Sequence, residues 1–154
     1  MISILRMIHV TVFLGVLYAA HLSSQDTLGS VEIVAVNFAY RYEFEKTMEW
    51  ILSNPTLARD TIHVADILQS IQQRINELSN RSTEVTDTDE PCMICILRWS
   101  SGIVDTMHVT RDVLLFRGKW RPLDVSLLWL LSIGLPRSYQ NAIADEIYWR
   151  TRQE

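Results

Sequence analysis

Between residues 61 and 79 the apolar positions fall three or four apart. They are Val64, Ile67, Leu68, Ile71, Ile75 and Leu78, with Gln72, Gln73, Arg74, Asn76 and Glu77 between them. That period predicts an amphipathic helix, with Asp60 placed to cap its start. Over residues 30–53, Val34, Phe38, Phe44, Met48, Ile51 and Leu52 recur at near-helical spacing, and Asn54-Pro55 stops the run. The β-branched opening of that stretch, residues 31–36, also suits a strand. Residues 83–90 hold four acids, no base and one aliphatic side chain, which predicts a solvated loop. Pro91 suits the first turn of a helix, and Met93, Ile94, Ile96, Leu97, Ile103, Val104 and Met107 make that helix central.

The remaining C-terminal pattern reads as three further helices. Residues 111–117 form a short one ended by Gly118. Residues 123–133 form an apolar one, with Leu127, Leu128, Trp129, Leu130 and Leu131 nearly continuous and Trp129 in the core. Gly134 and Pro136 end it. Ser138 caps the last, in which Ala142, Ile143 and Ile147 share one face and Asp145, Glu146, Arg150 and Arg152 another. The expected architecture is therefore all-α, a compact bundle of about six helices with an acidic loop near residues 80–91. Residues 30–154 form one helical domain behind a hydrophobic N-terminal segment, residues 1–24.

That N-terminal segment carries Arg6 and then an uncharged run over residues 10–20. Eleven residues suit the core of a secretory signal, although Tyr18 is bulky for a cut after Ala20. A membrane-associating helix over residues 1–22 and a first core helix remain open beside it. Asn80-Arg81-Ser82 is a glycosylation sequon if the chain is secreted.

Composition narrows function more than it defines it. A net charge of −4 argues against nucleic acid as a partner, because phosphate binding needs a cationic surface. Of the 14 basic residues only Lys46 and Lys119 are lysines; this skew fits codon bias, a gene read in a second frame, or Arg-rich interfaces. Cys92 and Cys95 could close a disulfide in an oxidising compartment, or stay as buried thiols. At a helix start the dipole would lower a thiol pKa, but the flanks lack a thioredoxin-like βαβ pattern. Zinc would need His63 and His108 as well. Asp105 and His108 share a helix face in this reading, without a nucleophile to serve. Neither a catalytic residue nor a cofactor is assigned, and the chain is read as a non-enzyme.

Five tryptophans are many for 154 residues. Trp120 and Arg121 lie in a predicted inter-helix turn, and Tyr148, Trp149 and Arg150 lie near the C-terminus. Trp, Tyr and Arg dominate protein-binding hot spots, so these five are the candidate interaction residues. Packing against neighbouring helices is the competing role.

Several segments resemble a known family. Ile62-His63-Val64-Ala65 leads into the amphipathic helix, a polar break follows, and then the apolar Met93-Ile94-Cys95-Ile96-Leu97. The run Leu127-Leu128-Trp129-Leu130-Leu131-Ser132-Ile133-Gly134-Leu135-Pro136-Arg137 precedes a helix with Asp145 and Ile147. Over residues 60–150 this order resembles the C proteins of paramyxoviruses. The resemblance implies a small helical nonstructural accessory protein that binds host or viral proteins and modulates innate immunity or viral RNA synthesis. It would act in the cytoplasm or at a membrane of the host cell. The alternative is a secreted, cytokine-like helical bundle with a cleaved signal peptide.

Overall fold

A computed structural model of the chain describes residues 26–36, 47–78, 81, 83 and 91–150, the last two of these by backbone alone. Its centre is a six-stranded antiparallel sheet, which overturns the all-α expectation. The strands are β1 (Leu28–Ala35), β2 (Ala58–Ile62), β3 (Met93–Trp99), β4 (Val104–Val109), β5 (Val113–Phe116) and β6 (Lys119–Pro122). They lie in the order β2-β1-β3-β4-β5-β6. Four helices accompany them: α1 (Met48–Ser53), α2 (Ala65–Leu78), α3 (Val125–Ser132) and α4 (Arg137–Arg150). The bundle assumed for both the accessory-protein and the cytokine-type readings is thereby removed.

Strand β3 explains why periodicity misled. Met93, Cys95, Leu97 and Trp99 point into the main core, shared with α2, α3 and α4. Ile94 points the other way, into a smaller core with Val34, Val36, Ile51 and Leu57 beneath α1. A strand covered on both faces reads as a continuous apolar run, and such a run has no period of two. The neighbouring hairpins are closed by tight turns. Trp99 N donates to Ile103 O, Gly102 N donates to Trp99 O, and Gly102 has φ 86°. In the β5–β6 turn Arg117 and Gly118 take φ 49° and 71°, the paired left-handed conformation of a two-residue hairpin. Gly118 thus turns a hairpin; it does not end a helix.

The expected helices survive where the period is long. Helix α2 buries Leu68, Ile71, Ile75 and Leu78. Its predicted N-cap, Asp60, instead lies in β2, because Thr61 and Ile62 pair with β1. Helix α1 is capped by Thr47, whose hydroxyl accepts from Trp50 N at 3.2 Å, and it ends at Asn54 before Pro55. Helix α3 is capped by Asp124, whose carboxylate accepts from Leu127 N at 2.7 Å. Helix α4 starts at Arg137, one residue before the expected cap Ser138. Packing runs in sequence: α2 on β1, α3 on α2, and α4 on α3.

Between α3 and α4 the chain passes Gly134, whose Cα faces the Asp60 carboxylate on β2. A Cβ built there would meet Asp60 Oδ2 at 1.4 Å. Any side chain at this position would have to displace the Asp60 carboxylate, and close approach is the whole constraint, since the φ of Gly134 is not in the left-handed region. Gly134→Ala should therefore destabilise the protein by about 1–2 kcal/mol in urea unfolding. In an Asp60→Ala background the same change should be neutral or slightly stabilising. Equal costs in both backgrounds would show that the two sites do not touch.

Candidate functional site

The five candidate interaction residues are not brought together. Trp120 is half-buried on β6, aligned across the sheet with Leu115 and His108. Its row continues through Ile94 to Val34, which α1 covers. Arg121, next in the strand, points to the opposite face and is only 5% exposed. There its guanidinium donates to Leu78 O and Arg81 O at the end of α2. It is a helix C-cap carried in from a distant strand, and it is buried rather than set on an open surface. Tyr148 is exposed on α4, across the sheet from Trp120. The side chains of Trp149 and Arg150 lie outside the described residues, as do Asn80, residues 84–90 of the acidic loop and the whole segment 1–24. Among the described residues no helix is long and apolar enough to cross a membrane.

The proposed thiol chemistry meets a geometric obstacle. Cys92 and Cys95 are both buried and form no disulfide. Cys92 lies in the bend that leads into β3 and Cys95 within the strand, both in the main core, and three residues of extended chain span about 10 Å. A disulfide needs Cα atoms less than about 7 Å apart. Burial pushes the Cys95 thiol pKa up, the reverse of the lowering expected at a helix start. Asp105 and His108 also part, since positions three apart diverge on a strand. Asp105 accepts from Trp99 Nε1 at 2.7 Å and from Arg117 Nη2 at 2.6 Å. The Arg117 guanidinium also lies 5.5 Å from the Trp99 ring centre and 5.1 Å from that of Phe116. Nearby, the Ser101 hydroxyl, its backbone N–H and the Ser100 hydroxyl all donate to the Asp26 carboxylate. These bonds, the Ser101 hydroxyl first, hold the Asp26 pKa below its ordinary value. Together the two clusters clamp the β3–β4 and β5–β6 turns. Among the described residues no three His, Cys, Asp or Glu side chains gather as metal ligands.

The feature that stands out lies on α3. Leu127, Leu128 and Leu131 of this helix are buried against the core. Val125, Trp129 and Ile133 lie on the opposite side and are 38%, 50% and 44% exposed. These three are spaced by four residues and form one outward stripe. Beside it runs an open groove of about 480 Å³, lined by Ser70, Gln73 and Arg74 of α2, Leu130 of α3 and Ile147 of α4. Trp129 was expected in the core; the signal against that expectation was the length of the run. Residues 125–135 hold no charge, which is more apolar surface than one buried helix face can use.

A protein of this description is an α+β domain with helices chiefly on one sheet face and an apolar stripe left outside. Comparison with family models, curated proteins and solved structures finds no match. The viral accessory role implied by the C-protein resemblance therefore has no support from relatives.

Two outcomes follow from the buried polar groups. Replacing Arg121 by Met keeps its packing but leaves two carbonyls without a donor. It should cost about 2 kcal/mol in urea unfolding; an unchanged midpoint would remove the cap assignment. Burial lowers the His108 pKa below its ordinary 6.5, so the folded state disfavours its protonation. Below pH 6.5 the unfolded chain takes up that proton first, and stability falls until the folded pKa is passed. His108→Gln should flatten this part of the stability–pH curve; the same slope in both proteins would contradict it.

Proposed function

We propose that the protein is non-catalytic and acts by binding another protein through the outer face of α3 and its groove. One observation carries the reading: the stripe of Val125, Trp129 and Ile133 outside a core that is already closed beneath it. Large apolar side chains left side by side in water are unfavourable, and burying a tryptophan is worth about 1.5–3 kcal/mol. Exposed apolar patches of this kind mark binding surfaces, and tryptophan is the most frequent anchor in them. The rim is polar, from Gln73, Arg74 and Ser126, as a docking surface requires. Tyr148, named from the sequence, is exposed on the neighbouring helix, next in sequence to the groove residue Ile147.

The test separates folding from binding. Trp129→Ala should cost less than about 1 kcal/mol of stability, whereas Leu131→Ala on the inner face should cost about 2–5 kcal/mol. A photo-reactive phenylalanine analogue at position 129 should link the chain covalently to a defined protein in its own cell. Serine at positions 125 and 133 should abolish that link. A large stability loss from Trp129→Ala, or a folded protein that gives no link, would contradict the reading.

A further inference from the structure

The stripe on α3 is symmetric about Trp129. Val125 lies one turn before it and Ile133 one turn after it, with similar exposure. Between residues 125 and 136 there is no ionisable side chain. The charges stand at the two ends: Asp124 caps the start, and Arg137, exposed, follows the turn beyond the finish. A surface with this layout is complementary to itself when one copy is reversed. Two α3 helices side by side in opposite directions bring Trp129 against the partner's Trp129 and Val125 against the partner's Ile133. The acidic end of each then approaches the basic end of the other, and the helix dipoles also oppose. A parallel pairing sets acid against acid and base against base. The groove on this face is lined by Val125 and Trp129 themselves together with Leu130 and Ile147, so the apolar surface continues beyond the stripe.

From this we infer that α3 is the interface of a two-fold symmetric homodimer, formed by antiparallel packing of the two α3 helices about Trp129. The inference rests on the protein-binding reading above and names the partner as a second copy of this chain. Two-fold contacts are self-complementary by necessity, and a neutral centre brings no like charges together. The central indoles are the anchors; Arg74, held to Glu77 at 3.1 Å, stays at the rim.

The experiment uses the full chain at tens of micromolar. Sedimentation should show a dimer. Trp129→Ala should raise the dissociation constant about thirty-fold or more, with the far-UV circular dichroism unchanged. Arg137→Glu should also weaken the dimer, and more so at low salt. Direction is read with a short bismaleimide, to which the buried native thiols are inert. A mixture of Val125→Cys and Ile133→Cys chains should cross-link far better than Val125→Cys alone, while Trp129→Cys should link to itself. Efficient self-linking of Val125→Cys would overturn the antiparallel arrangement. A wild-type monomer that still links another protein from position 129 overturns the dimer and leaves the binding reading standing. A monomer that links nothing, or that sediments only with lipid vesicles, overturns both.

Discussion

Strand β3 is buried on both faces over its first half and on one face to its end, and the rest of the fold depends on that burial. It pairs with β1 on one side and β4 on the other, so its backbone groups are satisfied within the sheet. Met93, Cys95 and Leu97 close the main core, and Ile94 closes the smaller one under α1. No polar side chain could occupy these positions without losing water on both sides. The cost of the arrangement to chemistry is visible at Cys95, whose thiol is kept protonated by the apolar surroundings. The two sheet ends use different means. Ion pairs and serine hydroxyls hold the turns, and Arg121 ties β6 to the end of α2.

This core also decides what α3 presents outward. Helix α3 enters the main core through Leu127, Leu128 and Leu131, packed between α2 and α4. Those leucines saturate the inner side. Val125, Trp129 and Ile133 then have nowhere inside to go, although they are as apolar as their buried neighbours. A helix apolar all round is ordinarily enclosed; here only half of it is. The closed core and the uncovered stripe are together the ground on which the proposed association rests. Gln140 donates to Ile133 O and Leu135 O, which holds the end of α3 rigid and the stripe in register.

The helices were legible wherever a long segment had one wet face. Helix α2 shows its four buried positions plainly, and Asn54-Pro55 marks the end of α1. Ala142, Ile143 and Ile147 do share the inner side of α4, with Ile143 fully buried. The strands were not legible because two-sided burial hides alternation in β3, and because β5 and β6 have only four residues each. Turn chemistry was present in the sequence at Ser101-Gly102 and Arg117-Gly118. It supports a hairpin as well as a helix end, and only the pairing partner decides between them. The β-branched stretch at residues 31–36 suits a strand as well as a helix, and β1 lies there. Strand geometry also separates two of the candidate interaction residues. Trp120 and Arg121 looked like turn residues, but strand geometry sends one to each face and buries the arginine. Trp129 was hidden within an apolar run whose excess length, rather than its period, was the informative feature.

Amide hydrogen exchange in the native protein tests the central burial most directly. The amides of Met93 to Trp99 and their partners in β1 should be the slowest to exchange, opening only with global unfolding. Those of the edge strands β2 and β6 should exchange sooner. Fast exchange throughout residues 93–99, with the deepest protection confined to α2 and α4, would contradict a fold built around a doubly covered strand.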